Sequence, residues 1–204
     1  MNPILHWYGH SCFRLDFGEG GSVIFDPYAR GSVPGVELPP KPEADLVLCS
    51  HGHGDHNASD RVLITGKKPA FALHFLDTFH DPEGGKLRGP DRIAIVEYGG
   101  FRAAHLGDLG CALTAAQKAA LSGLDLLLIP VGGHFTIGPE EAKAVLDQLQ
   151  PRIAVPMHYR RGAMGFNVIR ELEDFTRLLP DWKENGGPEL ELTPELAGVC
   201  VMSL

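Results

Sequence analysis

Three histidines and an aspartate lie close together in the segment SHGHGDH, which spans residues 50–56. Neutral imidazole and carboxylate are the usual protein ligands of zinc, manganese and iron. The interleaved glycines allow the backbone to curl, so that neighbouring side chains can converge. The spacing therefore predicts one wall of a two-metal site, in which His51 and His53 face one ion and Asp55 and His56 face the other.

The elements that must position this segment follow from the hydrophobic pattern. The run 45–49 directly before it is apolar and predicts a buried strand that ends at the site. Thr114 and Pro139 suit helix starts, whereas the proline-rich stretch 29–42 predicts a loop that rims the site. Strands are predicted over residues 4–8, 12–17, 22–26, 45–49, 70–73, 92–97, 101–105, 124–131 and 153–156, and helices over residues 58–64, 114–121 and 139–149.

The hexad, residues 51–56, resembles the His-x-His-x-Asp-His signature of the metallo-β-lactamase superfamily. The resemblance covers most of the chain. The order of the matching pieces is similar to that of the small metal-dependent hydrolase branch, which includes ascorbate-6-phosphate lactonase-like proteins. The resemblance implies an α/β fold, a four-layer αββα sandwich forming a single domain over residues 1–204, with a dinuclear site at one edge. The matching pieces are Trp7–Ser11, Phe25–Pro27, the hexad, His80-Asp81, His105–Gly110, Pro130–Gly133 and Pro156–Tyr159.

Two further ligands are implied by this resemblance. Asp108 stands in a Leu-Gly-Asp turn after the predicted strand 101–105, and the family's Gly-Asp carries the carboxylate that bridges the metals. His158 follows the predicted strand 153–156, where the family supplies the last ligand of the second metal. Asp55 and Asp108 are accordingly the expected catalytic residues.

The third ligand of the first metal is His80 in this interpretation. The family usually supplies it from a Gly-His turn upstream of the Gly-Asp, and this chain has Thr78-Phe-His80-Asp81 there instead. His105 is the alternative, because a strand residue two positions before Gly107 can face either the metals or the core. His74 is less suitable, since it lies in an apolar stretch where packing is the expected role.

Other polar residues are candidates for a role behind the ligands or against the substrate. Asp26 can orient a histidine of the hexad or cap a turn. Cations near the site can hold a carboxylate or phosphate of the substrate, or can be solvated surface. The histidines outside the ligand set can line the pocket or serve as ordinary loop residues. The full set is His10, Asp26, Lys86, Arg88, His105, His134 and Tyr159, with Arg160 and Arg161 as further cations.

Composition and charge limit the classes of function. The 204 residues are 44% hydrophobic and 22% charged, as is usual for one globular domain. A formal net charge of −8 without a long basic run argues against a nucleic-acid partner. No signal-like or membrane-spanning pattern is visible, so a cytoplasmic protein without a membrane partner is expected. The four cysteines form no Cys-x-x-Cys pair and are expected to be reduced.

The expected chemistry is hydrolysis. Two divalent ions, zinc or manganese, would share a water whose pKa falls to about 7, and the bridging hydroxide would cleave a lactone, ester or phosphoester of a small anionic metabolite. An iron-dependent redox enzyme on the same fold and a non-catalytic metal-binding module are the alternatives. The resembling diiron proteins usually carry Glu where this chain has His53, and they add a flavin domain for which the chain has no room. The full ligand set argues against a binding module.

Overall fold

Two β-sheets face each other, and the helices connect strands of the larger sheet. The computed structural model describes residues 2–204, so Met1 of the predicted domain 1–204 lies outside the described residues. The elements, in chain order, are β1 (Ile4–Trp7), β2 (Phe13–Asp16), β3 (Ser22–Phe25), β4 (Glu43–Ala44), β5 (Leu46–Leu48), β6 (Leu63–Ile64), β7 (Ala72–Phe79), β8 (Pro90–Tyr98), β9 (Phe101–His105), α1 (Ala115–Ala120), β10 (Leu126–Pro130), α2 (Pro139–Leu149), β11 (Ile153–Met157), α3 (Leu172–Thr176), β12 (Lys183–Glu184), β13 (Glu189–Glu191) and β14 (Gly198–Val201).

The strand orders are β13-β1-β2-β3-β5 in the five-stranded sheet and β12-β14-β11-β10-β9-β8-β7 in the seven-stranded sheet, and β4 pairs with β6. In β1 and β2 every second residue is buried, as expected for strands with one face on a core. Strands β10 and β11 are buried along their whole length, because they are central and parallel. Buried residues of both sheets form one continuous apolar core.

The outer face of the five-stranded sheet is covered by chain without α-helix in the described structure. A second apolar cluster forms there around Ile24, which points away from the main core, and it includes Tyr28, Leu38 and Val62. On the other side, α1 follows β9 and α2 follows β10. The predicted α/β fold class is confirmed as a sandwich of two sheets, with loop in place of much of one outer helical layer.

Most predicted strands are present, but two local predictions are wrong. Residues 58–64 do not form a helix, because only a 3₁₀ turn, Ser59–Arg61, precedes β6, in which Leu63 pairs with Glu43. Strand β7 extends to Phe79, well beyond the predicted 70–73, and this edge strand is largely exposed, so its sequence lacks a clean alternation. The short helix α3 and the strands β12 to β14 were not predicted.

The topology brings the predicted site residues to one edge of the sandwich. Strand β5 runs parallel to β3, and β9, β10 and β11 run parallel to one another. Loops that leave the carboxyl ends of parallel strands emerge on the same side of a sheet. The hexad follows β5, Asp108 follows β9, and His158 follows β11, so the three arrive together. The described helices include none long and apolar enough to cross a membrane.

Candidate metal centre

Two groups of donor side chains meet at this edge. The first donor group is His51, His53 and His80, and the second donor group is His10, Asp55, His56 and His158. Within each group one donor atom per residue lies within 4.8 Å of the others. The chain thus assembles two neighbouring sets of nitrogen and oxygen atoms of the kind that bind divalent transition metals.

Asp108 lies between the two groups. Its Oδ2 is 3.1 Å from Nε2 of His80, 3.2 Å from Nε2 of His158 and 3.3 Å from Nε2 of His56. Two donors bound at about 2.1 Å to one tetrahedral ion lie about 3.4 Å apart, so these separations fit shared coordination. The ring nitrogens of His56 and His158 that face Asp108 are buried and form no hydrogen bond within the described residues. This fits a role as metal ligands, because buried polar atoms otherwise have hydrogen-bond partners.

Hydrogen bonds behind the donors fix which nitrogen faces the centre. Asp26 Oδ2 accepts a hydrogen bond from Nδ1 of His56 at 2.8 Å, and the Phe135 carbonyl accepts one from Nδ1 of His80 at 2.9 Å. Ser50 holds Asp26 in turn, since its N–H and its hydroxyl both donate to the carboxylate at 2.7 Å. In both histidines the proton on Nδ1 is directed away from the centre, and Nε2 faces it.

Neighbouring opposite charges outweigh the effect of burial on the pKa values at the centre. Burial lowers the pKa of His56, but Asp108 and Asp26 outweigh it and hold the pKa of His56 well above its ordinary value. Burial raises the pKa of Asp108, but His158 and His56 hold it well below its ordinary value. The carboxylates thus stay ionised, and a metal ion must displace a proton from His56 in order to bind.

His10 is closer to the centre than a pocket-lining residue need be. Its Nε2 lies 3.5 Å from Asp55 Oδ2, the same distance that separates Asp55 Oδ2 from Nε2 of His56. Its ring is 4.1 Å from that of His158 between centroids. Both of its nitrogens are buried without a hydrogen bond in the described structure, and burial lowers the pKa of His10 to about 4. The structure therefore offers a neutral fourth donor in the second group.

Left-handed backbone conformations position several of these side chains. His10, Asp26 and His158 have φ values of 52°, 45° and 54°, which non-glycine residues rarely adopt. Each residue lies at or just beyond a strand end that borders the centre. Such conformations cost free energy and persist where the surrounding structure enforces them, most often at functional sites.

The alternatives to His80 lie elsewhere. His105 uses both ring nitrogens on the backbone, since Nδ1 accepts a hydrogen bond from Gly107 N at 3.0 Å and Nε2 donates to the Ser11 carbonyl at 2.9 Å. His74 is exposed on β7, so the expected packing role is wrong as well. Among the three candidates, only His80 joins the first donor group.

The remaining candidates fall into two sets. Arg88 and the exposed His134 line a cavity of about 500 Å³ that adjoins the first donor group through Phe135, whereas Lys86 is exposed nearby and does not line it. Tyr159 does not reach the centre, because its ring lies in the main apolar core. The predicted cations after His158 are engaged elsewhere: Arg160 pairs with Glu171 and Arg161 with Glu184.

Residues 4–158 match the family model of the beta-lactamase superfamily domain. The chain belongs to the metallo-β-lactamase superfamily. Within the superfamily, a UPF0173 metal-dependent hydrolase of Thermococcus kodakarensis is 30% identical to it, covering 90% of this chain and 97% of that protein. A UPF0173 metal-dependent hydrolase of Thermus thermophilus is also 30% identical, over 76% of this chain and 83% of that protein.

A solved superfamily structure agrees with the same assignment. A protein of Thermotoga maritima that is assigned to the metallo-β-lactamase superfamily superposes with a TM-score of 0.78 and 33% identity over 98% of each chain. The predicted resemblance is therefore confirmed at the level of the superfamily.

Three residues at the centre were missed by the sequence reasoning. Asp91 is buried beside His51, and Phe135 and Phe166 form an aromatic pair with ring centroids 5.9 Å apart. Phe166 also lies 5.6 Å from the ring of His10. The only local signal for Asp91 is a carboxylate at the start of an apolar strand, and the two phenylalanines have no distinguishing pattern at all.

Proposed function

We propose that this chain is a metal-dependent hydrolase that cleaves a lactone, ester or phosphoester bond of a small anionic molecule at a centre of two divalent ions, zinc or manganese. The observation that carries the proposal is the position of Asp108 Oδ2, 3.1 to 3.3 Å from three imidazole nitrogens that belong to both donor groups. A site for one ion would not need a second set of donors on the far side of this carboxylate.

The proposed metal ligands are the seven residues expected from the sequence together with His10. They are His51, His53 and His80 at the first ion, His10, Asp55, His56 and His158 at the second, and Asp108 at both. Two divalent ions at these donors supply a water of lowered pKa and polarisation of the scissile carbonyl or phosphoryl group.

The chain's own residues have separate tasks in this scheme. Asp55 is the proposed water-orienting carboxylate, because its side chain is 18% exposed whereas that of Asp108 is 2% exposed. Burial raises the pKa of Asp55, but contacts with His10 and His56 hold it below its ordinary value, so the group can accept a hydrogen bond from water. Asp108 remains buried and ionised, and it holds the two donor groups together.

Arg88 is the proposed anchor for the negative charge of the substrate. Its guanidinium lies 5.6 Å from the centroid of the Phe135 ring and is half-buried in the wall of the adjoining cavity. A guanidinium at such a place can hold a carboxylate or phosphate in a bidentate manner. The overall charge of −8 supports a small substrate in preference to a nucleic acid.

The test is a hydrolysis assay with protein reconstituted with zinc or manganese, against a panel of lactones, carboxylic esters, thioesters and phosphodiesters. The matched control is Asp108→Asn, which keeps the shape of the side chain and removes its charge. The expected result is turnover of one bond type that the control loses by at least about 100-fold. Turnover that the control retains would refute the proposed centre, and so would failure of the wild-type chain to bind zinc or manganese.

A further inference from the structure

Asp91 is a buried carboxylate that the assigned ligand set does not use. It lies on β8, its side chain is 0% exposed, and both of its oxygens lack a hydrogen bond in the described structure. The one basic group within 4.0 Å among the described residues is Nδ1 of His51, which lies 3.3 Å from Asp91 Oδ1. A buried charge with so few partners is costly for folding, so its presence calls for a function.

The turn that carries Asp108 closes over this carboxylate. Gly107 has a φ of 58°, and a Cβ at this position would lie 2.5 Å from Asp91 Oδ1 and 2.7 Å from Ser50 Cβ. Only glycine therefore fits between Asp91 and the hexad. The carboxylate is closed off from solvent and lies 3.3 Å from Nδ1 of His51.

The proton on His51 can be placed from its neighbours. Ser50 Oγ is 2.9 Å from Nδ1 of His51, and the hydroxyl hydrogen of Ser50 is already directed to Asp26 Oδ2 at 2.7 Å. Ser50 Oγ thus accepts from Nδ1, which must carry the proton. Asp91 Oδ1 lies 3.3 Å from the same nitrogen, and Nε2 is left free toward Asp108, whose Oδ2 is 3.9 Å away.

We propose that Asp91 is a positioning residue for His51 and the charge partner of the first donor group. This inference rests on the proposed metal centre, because Asp91 can position His51 for a metal only if His51 is a ligand. The carboxylate lies 3.3 Å from Nδ1, favours the tautomer that keeps the proton there and Nε2 toward the ion, and adds a negative charge behind the three imidazoles of the first group. It matches Asp26 behind His56 in the second group, so that each half of the centre has one histidine backed by a buried aspartate.

The proposal is tested with Asp91→Asn and Asp91→Leu in the full chain. Zinc affinity is measured by competition with a chromophoric chelator, and thermal unfolding is measured on metal-free protein. The expected result is weaker zinc binding at one of two sites, by about 10- to 100-fold and more for Leu than for Asn. The metal-free variants should unfold at a temperature equal to or above that of the wild type, since they lose a buried carboxylate that accepts no hydrogen bond in the described structure.

The matched control is Asp125→Asn, a partly buried aspartate that accepts hydrogen bonds from Arg102 N at 2.9 Å and from Arg152 Nε at 3.0 Å, away from the centre. This control should lower the unfolding temperature and leave zinc affinity unchanged. Zinc affinity at the wild-type level in both Asp91 variants would overturn the proposal, and so would a loss of metal-free stability like that of the control. If the wild-type chain bound neither zinc nor manganese, the proposed function itself would fail instead.

Discussion

Asp26→Asn is expected to weaken zinc binding at the second donor group while it leaves the fold nearly intact. Asp26 accepts three hydrogen bonds: from Ser50 N, from Ser50 Oγ and from Nδ1 of His56. In the Asn variant the carbonyl oxygen must stay with Ser50 N–H, so the amide group takes the place of Oδ2. The amide donates to His56 Nδ1, which then carries no proton, and the proton moves to Nε2, where the metal would bind.

The expected losses of unfolding free energy and of zinc affinity distinguish this change from a general destabilisation of the fold. The introduced amide keeps a partner for each of its neighbours, so the loss of unfolding free energy should stay below about 2 kcal/mol. Zinc affinity should fall by about 10- to 100-fold, as for other residues that orient a metal ligand. Asp26→Ala should behave differently, because it leaves the Ser50 and His56 N–H groups without an acceptor, at about 1–3 kcal/mol each.

Urea unfolding of metal-free protein and chelator competition for zinc measure the two quantities. Asp45→Asn is the matched control, since Asp45 Oδ2 accepts from Ser22 N at 2.8 Å and from Ser22 Oγ at 3.3 Å, but touches no donor of the centre. The expected loss of zinc affinity in Asp26→Asn is at least about 10-fold. A loss of less than about twofold would refute the tautomer argument.

Three further predictions concern the loops, the titrating histidines and the substrate. Gly132→Ala should destabilise the protein by about 1–3 kcal/mol and weaken zinc binding, because its Cβ would collide with the carbonyl oxygen of His158; Gly186→Ala, in open space, is the control. In denaturation of metal-free protein, stability should peak near pH 6.5, the unperturbed histidine value. Burial lowers the pKa of His10 to about 4. Below pH 6.5 the unfolded chain therefore binds a proton at this residue before the folded protein does, and stability falls. Burial also lowers the pKa of His56, but Asp108 and Asp26 raise it well above its ordinary value, so stability is lost as pH rises through that pKa; a melting temperature still climbing between about pH 7 and 8 would contradict this. Arg88→Ala should raise KM for an anionic substrate by about 10- to 100-fold with zinc content unchanged, whereas Lys86→Ala, a change in an exposed cation, should have a smaller effect; equal KM values in both would exclude Arg88 as the anchor.

The site residues that could be predicted carry their signal in their immediate neighbours. The hexad follows an apolar strand and contains its own glycines, and Asp108 follows a strand and a glycine. His158 likewise ends a buried strand. In each case the backbone that aims the side chain is encoded within a few residues, so local pattern and family resemblance identify the same position.

The role of His10 could not be predicted, because it depends on distant contacts. A left-handed turn between β1 and β2 places its ring 4.1 Å from that of His158, which lies almost 150 residues further along the chain. Asp91 is similar, since its burial results from the Gly107 turn that closes over β8. Strand β7 was predicted too short for another reason: an edge strand with two largely solvated faces has no hydrophobic period to read.

The two donor groups are unequal, and this inequality gives the centre a direction. The first group consists of imidazoles only and includes the exposed His53, whereas the second group includes the Asp55 carboxylate and the buried residues His10, His56 and His158. A substrate from solvent therefore meets the first group. The cavity with Arg88 adjoins that group, through the Phe135 carbonyl that holds His80. A negative charge at Asp91 behind His51 would then offset part of the positive charge of the first ion, whose only carboxylate ligand would be the shared Asp108.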